Sequence, residues 1–216
     1  MSEVDYLKIG LENYPNVTDD HERIQKWILA NNSLLVDWEN PSLEALAVNA
    51  SAALLPATAP IILDYPTGEW VYFVITSNFT NSSADTQRVT SPSVHPIHLH
   101  GHDFVILAQG EGPFHKDIVP NLDNPARRDV ADVTIGGYLW IAFVVDNPGS
   151  WIMHCHIAWH ASAGLGLQYI EQPSKIKGLM DSAGVLPEYQ DQCKEWKEWY
   201  STVNIPSDNM EDDSGV

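Results

Sequence analysis

Apolar positions in this chain gather in short runs, each closed by glycine, proline or a polar pair. "WVYFVIT" (70–76) is an unbroken aromatic and β-branched run and predicts a buried strand. "DFVILAQG" (103–110), "DVADVTI" (129–135) and "YLWIAFVVDNPG" (138–149) follow. The last two are separated by Gly136-Gly137, a two-residue hairpin signal. "WIMHCHI" (151–157) and "LGLQYIE" (165–171) add two more strands, while "LLVDWENP" (34–41) and "APIILDYP" (59–66) read as short strands stopped by proline. Helical spacing occurs near "DDHERIQKWIL" (19–29) and in "PEYQDQCKEWKEWY" (187–200), where it would pack Trp196, Trp199 and Tyr200 against the domain. Many short strands with Gly/Pro turns predict an all-β sandwich or barrel with a short C-terminal helix and an extended tail.

Composition narrows the class. A length of 216 residues suits one large domain or one domain with extensions. Asp and Glu number 29 against 11 Lys and Arg, a formal charge of −18, which argues against nucleic acid or an anionic membrane as partner. No run of 18 apolar residues occurs, so no membrane span is expected. The opening "MSEVDYLKIGLENY" lacks the pattern of a signal peptide. Five Asn-x-Ser/Thr sequons stand at Asn16, Asn31, Asn49, Asn78 and Asn81. They point to a secreted, extracellular glycoprotein and to a processed or truncated chain.

The chemistry concentrates in the histidines. "HPIHLHGH" holds His95, His98, His100 and His102; "HCHIAWH" holds His154, Cys155, His156 and His160. Side chains alternate along a strand, so His98 and His100 share a face, as do His154 and His156, with Cys155 opposite. If the two segments are neighbours, one face offers four imidazoles. The other offers Cys155 with His95, beyond a Pro96 bend, and His160. A thiolate with two imidazoles is the trigonal set of blue copper, normally with a weak axial Met. Leu165 stands at the apolar downstream position and cannot coordinate, so a high reduction potential is expected. Zinc takes the same donors and is the rival metal. His21 and His115 are expected at the surface, His102 as a supporting or packing residue, and Trp151 and Trp159 as packing residues.

"HPIHLHGHDF" and "GSWIMHCHIAWHASAGL" resemble the two C-terminal copper signatures of the multicopper oxidases, most closely those of fungal laccases; "DNPARRDV" between them fits the same pattern. The resemblance implies a cupredoxin-like Greek-key β-sandwich. It divides the chain into a remnant of a preceding domain or linker (1–26), a copper-binding cupredoxin domain (27–175), and a C-terminal helical extension and tail (176–216). His95, Cys155 and His160 would hold a type 1 copper, with Leu165 at the axial place without bonding. His98 would hold the type 2 copper, and His100, His154 and His156 the type 3 pair. The reaction implied is four one-electron oxidations of phenols or aromatic amines, coupled to reduction of dioxygen to water.

The family's trinuclear cluster needs eight histidines, of which this chain offers four. The remaining His-x-His pairs and an acidic residue that contacts substrate belong to N-terminal domains, in the same precursor or in a separate chain. Cys193 resembles a family cysteine that bridges to the first domain. Asp213, Ser214, Gly215 and Val216 resemble the Asp-Ser-Gly-Leu end of processed ascomycete laccases, which plugs a solvent channel. Two functions follow: the C-terminal part of an oxidase, active with the missing domains, or an isolated blue-copper electron-transfer or copper-binding module. They are distinguished by whether another chain carries the missing histidines and the partner of Cys193.

Overall fold

The computed structural model describes residues 7–15, 23–30, 32–77, 93–203 and 216. Two sheets face each other. One contains β1 (Leu7–Pro15), β2 (Arg23–Leu29), β4 (Trp70–Thr76), β6 (Phe104–Gly110), β7 (Arg127–Arg128) and β9 (Tyr138–Val144), in the order β2-β1-β4-β9-β6-β7. The other contains β3 (Pro60–Leu63), β5 (His95–Leu99), β8 (Val130–Val133), β10 (Gly149–Cys155) and β11 (Gly166–Glu171), in the order β3-β11-β10-β5-β8. Four α-helices, α1 (Ser42–Val48), α2 (Ala158–Ser162), α3 (Pro173–Ala183) and α4 (Leu186–Tyr200), and a short 3-10 turn at Pro56–Thr58 flank the sheets among the described residues. The all-β sandwich expected from the strand runs is the fold observed.

Between the sheets the core is aromatic at its centre. Phe73, Phe143 and Tyr169 meet at ring separations of 5.3–6.1 Å. Burial of each such side chain contributes about 1.5–3 kcal/mol. β9 and β11 are buried on both faces, which explains their lack of polar alternation. Val74, Leu107, Trp140 and Ala142 cover the far side of β9, while Leu46, Ala47, Ile176 and Leu186 from α1, α3 and the start of α4 cover Ile170.

Several local expectations are corrected by this packing. Residues 23–29 form strand β2, not a helix, because seven antiparallel pairs with β1 and the burial of Trp27, Ile28 and Leu29 outweigh local helical spacing. Residue 26, where the first division is drawn, lies within β2, and residue 175, where the second is drawn, lies within α3. Residues 34–41 are irregular: Asp37 Oδ1 accepts the backbone N–H groups of Glu39 and Asn40 and turns the chain into α1. "WVYFVIT" is a strand, but Trp70 and Tyr72 point to solvent. In α4 the buried face is Leu186 and Cys193, with Trp199 half exposed.

Gly136-Gly137 does not close a hairpin. It carries the chain from β8 in one sheet to β9 in the other. Gly136 has φ +63°, and a Cβ at Gly137 would run into Thr134 Oγ1 and the Gly110 carbonyl, so the corner needs both glycines.

Candidate metal centre

The site is built on the antiparallel pair β5–β10. Ile97 lies opposite Cys155, His98 opposite His154 and Leu99 opposite Met153. Paired residues share a face, so alternation sends His95, Ile97, Leu99, Met153 and Cys155 into the core and His98 and His154 outward. His95 needs no bend to reach the inner side: Pro96 is an ordinary residue of the strand, opposite Asp132 of β8, and its carbonyl accepts the backbone N–H of His156 at 2.7 Å.

On the inner side, Cys155 Sγ lies 3.9 Å from His95 Nδ1 and 3.5 Å from His160 Nδ1. The donor atoms of His95, Cys155 and His160 all fall within 4.8 Å of one another. His160 arrives on the short helix α2. The loop is tied by backbone bonds from Leu165 N–H to the His160 carbonyl (2.8 Å) and from Cys155 N–H to the Leu165 carbonyl (3.0 Å). Leu165 is fully buried beside them. Trp27 of β2 covers both imidazoles, its ring centroid 4.9 Å from His95 and 4.3 Å from His160.

Burial keeps these side chains neutral. It lowers the His95 pKa from 6.5 to about 4, with the neighbouring His160 adding to the effect, and lowers that of His160 as well. It raises the Cys155 thiol from 9.0 to about 11, against a backbone hydrogen bond at Ile157 that acts the other way. A neutral imidazole keeps the lone pair a metal needs, and a bound cation reverses the thiol's preference. Two imidazoles and a buried thiol so placed fit a soft or borderline metal such as copper or zinc.

The outer side gathers His98, His100, His154 and His156, with ring centroids 4.7–5.9 Å apart. His98 Nδ1 sits 2.8 Å from the Asp129 carbonyl, and His154 Nδ1 sits 3.0 Å from the Cys155 carbonyl. Those contacts leave each Nε2 free, and His154 Nε2 lies 3.1 Å from His100 Nε2. The inner group thus turns Nδ1 atoms towards the thiol, while on the outer side His100 and His154 turn their Nε2 atoms towards each other. Burial, then the neighbouring His98 and His156, lowers the pKa of His100; for His154 burial is again the main cause and takes it to about 4.

His102 is packed, as weighed from sequence: its ring lies among Phe143, Trp151 and Tyr169, with Nε2 3.0 Å from Glu171 Oε2. His115 is exposed. Trp159 is not a packing residue; it is 82% exposed beside His160. Cys193 is a free, buried thiol in a cavity of about 410 Å³ bordered by Trp38, Pro41, Ile152, Tyr189 and Trp196. Asn49 is exposed just after α1, and Val216 is exposed. His21, Asn16, Asn31, Asn78, Asn81, Asp213, Ser214 and Gly215 lie outside the described residues. Sequence reasoning missed Trp27, which carries no local signal, and Glu171, whose signal is a lone carboxylate ending an apolar strand run.

A family model described as multicopper oxidase matches residues 23–175. Dihydrogeodin oxidase of Aspergillus terreus is 55% identical over 213 residues, covering 98% of this chain and 35% of that protein. Laccase-1 of Botryotinia fuckeliana is 42% identical over 193 residues, 88% of this chain and 31% of that protein. The solved laccase of Botrytis aclada superposes with a TM-score of 0.74 at 35% identity, over 99% of this chain and 35% of its own. The chain spans about a third of the length of the curated relatives it matches.

Proposed function

Because this chain belongs to the multicopper oxidase family, we propose that it forms the electron-entry part of a laccase-type oxidase. That enzyme takes single electrons from phenols or aromatic amines and delivers them to dioxygen, forming water. His95, Cys155 and His160 would hold the type 1 copper, and Leu165, buried beside them, would offer it no donor. His98 would hold the type 2 copper, and His100, His154 and His156 the type 3 pair. Copper, the family's cofactor, would supply reversible one-electron chemistry at both positions.

The observation that carries this reading is the placement of His154, Cys155 and His156. Three consecutive residues put one thiol in the core and two imidazoles on the opposite face. They offer a short covalent path between an electron acceptor and a second metal cluster. At the entry end, His160 is half-buried and Trp159 stands exposed next to it, giving an aromatic substrate a ring to rest on. At the exit end, His100 and His156 are exposed while His98 and His154 are half-buried, which suits a face that other domains would cover. Those domains would bring the remaining four histidines and a cysteine for Cys193. The open outer face favours this reading over an isolated electron-transfer module.

Secretion fits the sequons, of which Asn49 is exposed, and the Asp213–Val216 tail would plug the solvent channel. No helix among the described residues is long and apolar enough to cross a membrane. The 55% identity to a dihydrogeodin oxidase makes dihydrogeodin the first substrate to assay. Copper per mole of protein in native material is the primary test. About four, with an intense thiolate-to-copper band and dioxygen uptake, supports the oxidase; about one supports the electron-transfer module.

A further inference from the structure

Inside the sandwich, behind the outer imidazoles, lies a polar group that neither metal site uses. Glu171, the last residue of β11, has no exposed surface. Its Oε2 accepts from Tyr169 Oη (2.9 Å) and faces His102 Nε2 (3.0 Å), and its Oε1 accepts the backbone N–H of Asn147 (2.7 Å). Each of the last two partners then reaches the turn after β5. His102 Nδ1 lies 3.2 Å from the His100 carbonyl, and Asn147 Nδ2 donates to the Gly101 carbonyl at 2.8 Å. Trp151 Nε1 donates to the Asn147 carbonyl at 2.7 Å, and the Gly101 backbone packs so closely on that indole that no Cβ fits.

A carboxylate taken out of water is costly unless fully partnered, and here both oxygens of Glu171 have partners, two of which reach the same turn. What it fixes here is the residue just beyond the β5 ladder. His98 and His154 sit within paired strands and have Nδ1 tied to a carbonyl. His100 lies past the end of β5, with its backbone N–H bonded to the Ile152 carbonyl (2.9 Å). Its ring direction depends on how the 100–102 turn is held.

We propose that Glu171, acting through His102 and Asn147, is the positioning residue that sets the His100 imidazole against His154 on the outer face. The proposal deepens the oxidase reading and rests on it. Glu171 touches no metal donor; it orients one through the backbone, as outer partners of metal ligands do. Glu171→Gln keeps the shape and replaces one acceptor oxygen with an amide N–H₂, which cannot accept from Tyr169 or His102. His102→Gln cuts the other end of the same chain of bonds.

Both variants are measured in the copper-loaded, complete oxidase by total copper, copper visible by electron paramagnetic resonance, the blue thiolate band, and dioxygen uptake. The expected result is a blue band at wild-type intensity together with a larger paramagnetically visible share, because a mis-set His100 uncouples the paired coppers. Cluster copper affinity or uptake should fall about 10- to 100-fold. In metal-free protein, the His100 ring resonances should shift while those of His95 stay in place. Unchanged visible copper and uptake in both variants overturn the proposal. So does loss of the blue band in parallel, since Glu171 then merely holds the fold. A wild-type protein with no blue band and no copper overturns the oxidase reading itself, an outcome read before either variant is made.

Discussion

On the inner side of the β5–β10 pair, Cys155 and His95 have 0% and 1% of their surface exposed, while on the outer side His100 and His156 lie open. The two sides share the same two strands and the same alternation. The inner one groups three candidate donors under a tryptophan; on the outer one His98 and His154 are half-buried and His100 and His156 exposed. Burial therefore does different work on each. Inside, it keeps donors neutral and dry. Outside, it is partial, reaching His98 and His154 more than His100 and His156.

Cys155→Ser is the largest expected break in this contrast. It should abolish the blue colour and the oxidase activity together, and retained colour would sink the inner-site assignment. His154→Ala should separate the sides: dioxygen reduction should drop by at least about 100-fold, above the loss expected from a supporting residue, with the blue band kept. Loss of both in His154→Ala would mean the two sides are one structural unit.

Acidity probes the inner side without mutation. His95 has its folded pKa depressed from 6.5 to about 4, so below pH 6.5 the unfolded chain binds a proton that the folded one refuses. Metal-free protein should lose stability as pH falls from 6.5 towards 4, by up to about 3 kcal/mol from this residue. Cys155, raised from 9.0 to about 11, makes stability fall again as pH rises through that range. His154 adds less to the acid limb than its similar pKa suggests, because it is partly exposed. Urea melts at pH 4.5, 7 and 10 check this, and a flat profile would contradict the burial argument.

Leu165→Met should sharpen the picture of the inner site by lowering its reduction potential, about 59 mV for each tenfold preference gained by the oxidised state. An unchanged potential in redox titration would show that residue 165 does not face the metal. The smallest effect is expected from Trp159→Ala. With an exposed indole, melting temperature should stay put while KM for an aromatic substrate rises about 2- to 10-fold.

The sandwich was legible in sequence because its strand runs are apolar and sharply punctuated. The two faces of His154-Cys155-His156 were legible because alternation is a property of the backbone alone. What escaped depended on contacts distant in sequence. β2 reads locally as helix and becomes a strand by pairing with β1. Gly136-Gly137 has the chemistry of a hairpin, yet joins two sheets because β8 pairs with β5 and β9 with β4 and β6. Trp27 lies 68 residues before the first histidine that it covers and reaches it only through sheet order. Glu171 has its meaning from Asn147 and His102, on two other segments.

The adjacency of His154, Cys155 and His156 has a genetic consequence. Substitutions around them leave the strand register intact, and many should be tolerated. A single inserted residue between Met153 and Cys155 would reverse the facing of one motif half relative to the other, sending the thiol outward and an imidazole into the core. Around these three codons the gene should therefore tolerate changes in spelling far better than any change in length.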